Sequence, residues 1–223
     1  MDNRLIDERY SFLYDPFIFG LREDFWRIYS GTVAAVNGII RFKSSAVVNS
    51  SALFMRGKFE FKMTVPTAPT AGDSRIWGLY SRALGNRNAI YFFISGTSFF
   101  VRSYARDSGT PEQTTVTWLG AWTNTPTSFE IRWYKSTIEF WIGNDTLKIK
   151  VATHTKIPQD IPMPLYFSNS GTDAFDMNLL GISEVWKAVF ATQQGWYSSS
   201  STTSSSTSSS TSSSTSSSTS SST

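Results

Sequence analysis

A chain with no cysteine and one histidine, His154, has no thiolate nucleophile, no disulfide framework and no metal site built on several imidazoles. Its chemistry is left to carboxylates and aromatic rings. Phe, Trp and Tyr make up 15% of the residues, with 8 Trp, 9 Tyr and 17 Phe, enough both to fill a core and to present flat rings on a surface. Net charge is +3 and no run of Lys or Arg gathers on one element, so no nucleic-acid partner is expected. No apolar run approaches the roughly 18 residues of a membrane-spanning helix, so no membrane insertion is expected. Residues 1–21 mix acids, arginines and turn formers and lack a basic region followed by an apolar stretch, so no signal peptide is expected. His154 follows a strand pattern in a polar stretch and is expected to be exposed.

The elements that must carry these side chains are strands. The clearest is Gly57 to Val65, where Phe59, Phe61, Met63 and Val65 alternate with Lys58, Glu60, Lys62 and Thr64. Phe129, Ile131 and Trp133 alternate with Glu130, Arg132 and Tyr134. Ile138, Phe140 and Ile142 then alternate with Glu139 and Trp141, and Leu147, Ile149 and Val151 with Lys148 and Lys150. Turns at Lys135-Ser136 and Asn144-Asp145 join these segments into a three-strand meander. Asn37-Gly38 signals a type I′ hairpin between Thr32–Val36 and Ile39–Phe42. Further short strands are expected at Ile76–Tyr80, Ala89–Ile94, Phe99–Tyr104, Thr114–Trp118, Leu165–Phe167 and Asp176–Val185. Ser44–Ser51 reads as a break, and Trp186–Gln194 as one short helix. About a dozen alternating strands must bury one face against a second layer, which gives an all-β, two-layer antiparallel jelly-roll sandwich.

Three segments are expected: an N-terminal extension over 1–25, the sandwich over 26–197, and a tail over 198–223 that contains only Ser and Thr. From Thr203 to Thr223 the tail repeats Thr-Ser-Ser-Ser. It has no apolar surface to bury and is expected to be disordered, as a spacer or stalk. The aromatic stretch Tyr10–Phe19 is expected either to wrap the sandwich or to dock a neighbour.

The segment order resembles the concanavalin A-like jelly roll and, within it, the laminarinase-type glycoside hydrolases. Met55-Arg56-Gly57-Lys58-Phe59-Glu60-Phe61-Lys62-Met63 resembles their G-x-F-E strand, followed by a Pro-rich turn and the aromatic strand Ile76-Trp77-Gly78-Leu79-Tyr80. Phe129–Trp133 with Ile138–Ile142 resembles the family's Y-x-I-E-W hairpin, and Ile161–Phe167 its P-M-x-L strand. The resemblance covers about Trp26 to Val185. Active members carry an E-x-D-x-x-E or E-x-D-x-E strand directly after the Trp-rich one, supplying nucleophile and general acid from one face. The corresponding Asn88-Ala89-Ile90-Tyr91-Phe92-Phe93-Ile94-Ser95 has no acid. The resemblance therefore implies the fold without the hydrolase, and no enzymatic activity is expected. Glu60, Glu130 and Glu139 lie on non-core strand faces and are expected to be solvated and cross-paired with Lys58, Lys62 and Arg132 rather than catalytic.

In such a jelly roll the concave sheet is the binding surface of lectins, where sugars stack on rings. Rings out of phase with the core pattern are the ligand-binding candidates: Tyr91, Phe93, Tyr104 beside Arg102, Trp141, and Trp118 and Trp122 flanking Gly120. The competing reading is that both sheet faces are covered and these rings are packing. Calcium is common in the superfamily; Asp173 and Asp176 with Asn178, or Asn144 and Asp145, are the oxygen ligands at hand. The sum is a non-catalytic recognition or structural domain, displayed on a virus or phage particle or extracellularly, with glycan or polysaccharide and particle or fibre proteins as partners. A cellular lectin is the alternative, and a divergent hydrolase the third reading.

Overall fold

The alternation over Gly57–Thr64 is realised as a strand whose Phe59, Phe61 and Met63 are buried while Lys58, Glu60 and Lys62 face outward. A computed structural model describes residues 13–15, 24–64, 71–81, 88–105, 110–117, 125–159, 161–171 and 174–190. In chain order the strands are β1 (Leu13–Asp15), β2 (Trp26–Ser30), β3 (Val33–Val36), β4 (Ile39–Phe42), β5 (Ala46–Met55), β6 (Gly57–Thr64), β7 (Ser74–Tyr80) and β8 (Ala89–Ser95). They continue as β9 (Ser98–Tyr104), β10 (Glu112–Thr115), β11 (Thr127–Trp133), β12 (Ile138–Gly143), β13 (Lys148–His154), β14 (Met163–Asn169), β15 (Phe175–Ser183) and β16 (Lys187–Phe190).

Two antiparallel sheets result. The first runs β13-β12-β11-β6-β15-β4-β3, with β1 also on β15. The second runs β10-β9-β8-β7-β14-β5-β16, with β2 also on β5. Their inner faces form one core. Trp77 of β7 lies at its centre, 5.0 Å from Phe129 of the first sheet and 5.9 Å from Phe92 and Phe99 of its own. This is the expected all-β jelly-roll sandwich. Asn37 and Gly38 take φ of 51° and 75°, the left-handed pair a type I′ turn requires, and join β3 to β4 as expected.

Four expectations change. The Ser-rich segment expected as a break is crossed by β5, the longest strand, which pairs with β14, β16 and β2. Small polar residues are accepted there because the ladder is replaced locally: Ser50 Oγ accepts from Leu165 N at 2.9 Å and donates to Ala52 O. Trp186–Gln194 is no helix over its described part, since Lys187–Phe190 adds to the open edge of β5. Leu147 and Ile149, expected inside, are 67% and 50% exposed on the edge strand β13 and the turn before it. Lys148 instead reaches past β12 and turns its ammonium to the carboxylates of Glu130 on β11 and Glu60 on β6. Of the N-terminal extension, Leu13–Asp15 pairs with Leu180–Ile182, so this part wraps its own sandwich.

The fourth change is His154, which is 1% exposed. Its Nδ1 lies 3.0 Å from Ser103 Oγ and its Nε2 3.0 Å from Thr114 Oγ1, with Phe140 against the ring. It therefore ties β13 of the first sheet to β9 and β10 of the second. Glu112 completes the seam by accepting from the backbone N of Thr155 and Lys156. Burial pushes the imidazole below its ordinary value, against a smaller upward pull from Glu112. The unfolded chain takes up a proton near pH 6.5 that the folded one refuses, so stability falls as pH drops through about 6.5. Urea midpoints between pH 8 and 5.5 check this. The slope, at most about 1.4 kcal/mol per pH unit, is expected to flatten in His154→Gln.

Candidate functional site

The outer face of the second sheet is built by register. Arg27, Asn49, Tyr166, Gly78, Tyr91, Arg102 and Gln113 stand side by side across β2, β5, β14, β7, β8, β9 and β10. Directly opposed residues of an antiparallel pair share a face, so this row crosses the strands in one continuous line. A second row holds Ile76, Phe93 and Phe100, and a third Tyr80, Ala89 and Tyr104. Gly78 is the gap in the first row. A Cβ there would lie 2.3 Å from Ile90 O and 2.7 Å from Tyr91 Cα, so the site lets Tyr91 close over the strand.

Four of the expected ligand-binding residues are gathered here. Tyr91 and Tyr104, with ring centroids 6.2 Å apart, are 7% and 8% exposed and form a second apolar cluster with Ala89, flanked by Ile76, Tyr80 and Phe93. Burial first, then hydrogen bonding to Tyr104, pushes the Tyr91 hydroxyl above the usual phenol range, partly offset by Arg102. These two rings are thus floor, packed into the sheet face. Phe93 and Arg102 are half-buried. The Arg102 guanidinium lies 4.5 Å over the Phe93 ring and donates from Nε to Gln113 Oε1 at 2.5 Å. An arginine held between a ring and an amide is oriented and costs little further entropy when it meets a ligand.

Trp141 is not part of this group. It projects from β12 on the outer face of the first sheet, across the core from Tyr91. Arg132 lies 4.2 Å over its ring and its Nε1 donates to Glu139 Oε2 at 3.0 Å. Trp118 and Trp122 lie outside the described residues.

The carboxylates of the first sheet are paired: Glu130 with the expected Lys58 and Arg132, although it is buried rather than solvated, and Lys62 with Asp145 instead of a strand glutamate. Glu130 is fully buried and contacts Lys148 at 2.7 Å, Arg132 at 2.5 Å and Lys58 at 3.7 Å. Glu60 accepts from Lys148 at 2.7 Å and from Ser128, Glu139 from Lys150 at 3.0 Å, and Lys62 pairs with Asp145 at 2.6 Å. Burial pushes Glu130 up, but the Lys148 and Arg132 hydrogen bonds with the Lys148 and Lys58 charges outweigh it and hold the group below the carboxylate range. Glu139 is lowered in the same way through Lys150. A general acid needs the opposite direction.

Of the calcium candidates, Asp176 accepts from Nε and one Nη of Arg41, at 2.8 and 2.7 Å, so its oxygens are committed to a guanidinium. Asn144 Oδ1 caps its own turn through Thr146 N and Leu147 N. Asp173 lies outside the described residues, and among the described residues no group of three or more acidic, His or Cys side chains is placed to hold a metal.

The architecture is a two-sheet antiparallel jelly-roll sandwich, and comparison with solved structures agrees. The chain is similar to a Bacillus licheniformis beta-glucanase at 14% identity and a TM-score of 0.64, over 78% of this chain and 98% of that one. It is similar to the Crh5 transglycosylase in complex with NAG at 18% identity and 0.62, over 78% and 83%. SCLam, a non-specific endo-beta-1,3(4)-glucanase from family GH16, follows at 13% and 0.60, over 83% and 93%. At these identities the likeness is one of fold. No family model and no curated protein matches the chain.

Two elements of the site escaped the sequence. Tyr166 stands out of phase with Leu165 and Phe167, a signal as strong as that for Tyr91. Arg27, Asn49 and Gln113 carried no signal, because only strand register brings them into line.

Proposed function

We propose that this protein is a non-catalytic carbohydrate-recognition domain, displayed on the surface of a virus or phage particle. The observation that carries the reading is the row across the outer face of the second sheet. Over a floor of packed tyrosines it sets the half-buried Tyr166 and an aromatic-backed arginine, Arg102, where a saccharide chain running across the strands would meet a ring and hydrogen-bond donors in turn. In β8 the outward positions are Ala89, Tyr91, Phe93 and Ser95, with no carboxylate among them to serve as the acid or nucleophile of the two-carboxylate mechanism. The proteins of similar fold include glucanases and a transglycosylase solved with NAG, which supports a saccharide as the ligand class. The Thr-Ser-Ser-Ser repeat over 203–223 motivates display at a distance from a particle.

A glycan array of the full chain tests this, with β-glucan oligosaccharides and bacterial surface polysaccharides. Binding is expected, weakened about tenfold or more by Arg102→Ala and by Tyr166→Ala. Absence of binding across the array leaves a structural decoration domain instead. Reducing-sugar release from β-glucan that disappears in Glu130→Gln would restore the hydrolase.

A further inference from the structure

Charge is distributed unequally over the two outer faces. On the first sheet Arg41, Lys58, Lys62, Arg132, Lys148 and Lys150 each lie within ion-pair distance of a carboxylate. In the second sheet, β2, β5, β14, β7, β8, β9 and β10 contain one acid, Glu112, whose carboxylate is turned to the backbone of Thr155 and Lys156. Arg75 of β7 is buried on the core side and paired with Asp73. Among the described residues that register places on the outer face of these strands, the charged ones are Arg27 and Arg102. Both are half-buried, and neither has a carboxylate within ion-pair distance among the described residues.

Taking a charge partly out of water without a counter-charge is unfavourable. At Arg102 neutral neighbours offset that cost: the Phe93 ring at 4.5 Å, the Phe100 ring at 5.7 Å, the Gln113 amide and the Tyr91 hydroxyl. They orient the guanidinium without neutralising it. A guanidinium has more N–H donors than Gln113 and Tyr91 engage, so donors remain for a ligand. Arg27 stands five strand spacings away along the same row, about 24 Å at roughly 4.8 Å each, with the half-buried Tyr166 between the two. A chain that repeats its charged group can therefore meet both cations while one of its units lies on the ring.

We propose that this row takes an acidic polysaccharide, one whose sugar units carry carboxylate or sulfate, in preference to a neutral glucan. The proposal rests on the reading of the row as a saccharide site and adds the charge of the ligand. Arg102 supplies charge-assisted hydrogen bonds to the anionic group, in a fork geometry that suits a pair of oxygens. Tyr166 meets the apolar face of a pyranose further along, and Arg27 takes a second anionic group of the same chain. The ligand brings the counter-charge that the sheet itself lacks.

The test is calorimetric titration of the full chain with paired oligosaccharides that differ only in charge: polygalacturonate against its carboxyl-reduced form, and a sulfated galactan against its desulfated form. The charged member of one or both pairs is expected to bind about tenfold more tightly than its neutral counterpart, and the pair that shows this identifies the group taken. Added salt is expected to shrink that advantage. Arg102→Gln is expected to abolish it, Arg102→Lys to keep part of it, and Tyr166→Ala to weaken both members alike. Arg27→Gln is expected to lower the advantage of a long oligosaccharide and not that of a disaccharide, which cannot reach from one arginine to the other. The readout is a ratio of two affinities, so a variant that merely loosens the fold, and weakens both members equally, does not imitate the effect. Equal binding of charged and neutral members, or an advantage that survives Arg102→Gln, overturns the preference and leaves the saccharide reading standing. Equal binding of a single-stranded oligonucleotide overturns it in favour of a general polyanion surface. Binding of no member of either pair overturns the preference and the saccharide reading together.

Discussion

Trp77→Ala is expected to lower the unfolding free energy by about 3–5 kcal/mol, measured as a shift in urea midpoint at constant slope. The ring is fully buried and touches both layers: Phe92 and Phe99 beside it in the second sheet, Phe129 and Phe175 across the core in the first. Removing it deletes ring contacts between the two sheets at Phe129 and Phe175, and aromatic neighbours fixed by their own strands can fill the cavity only in part. With a total stability of about 5–15 kcal/mol for an ordinary domain, that is a large share of the margin. Trp141→Ala is the contrast. That ring lies on the outer face under Arg132 and Lys150, and its loss is expected to cost about 1 kcal/mol, the size of one cation–π contact. Equal costs at the two positions would mean that the sheets do not pack as described.

Gly78→Val is expected to cost about 3 kcal/mol, at or above the upper end of overpacking effects, and to disturb the tyrosine cluster as well. The atoms an added Cβ would meet, Ile90 O at 2.3 Å and Tyr91 Cα at 2.7 Å, are backbone of the neighbouring strand. They can give way only if β7 and β8 separate, and these are interior strands paired over seven residues. The displacement carries Tyr91 away from Tyr104, so near-ultraviolet circular dichroism is expected to change even at temperatures where the variant stays folded. Gly78→Ala is expected to follow the same direction, because the first carbon already makes the clash. A neutral Gly78→Ala would show that Tyr91 does not close over the strand.

Local pattern alone determined much of this protein. The two-residue alternation of Phe59-Phe61-Met63, Phe129-Ile131-Trp133 and Ile138-Phe140-Ile142 fixed which side chains enter the core, since a strand's period is a property of its backbone. Asn37-Gly38 and Asn144-Asp145 specified their turns through their own φ angles and side-chain acceptors. The lack of acids over 88–95 is equally a property of the sequence.

What local pattern cannot carry is which sheet a strand joins and what stands beside it. Tyr91 and Trp141 look alike in sequence, as rings out of phase with a core pattern, yet they lie on opposite outer faces because β8 and β12 belong to different layers. His154 reads as a loop residue and is a buried seam between sheets, since Ser103 and Thr114, 51 and 40 residues away, supply its partners. β5 is invisible behind its serines because the donor that Ser50 Oγ accepts, Leu165 N, lies 115 residues away. Each of these depends on pairings between distant segments, whose free energy arises only when both layers close on the shared core.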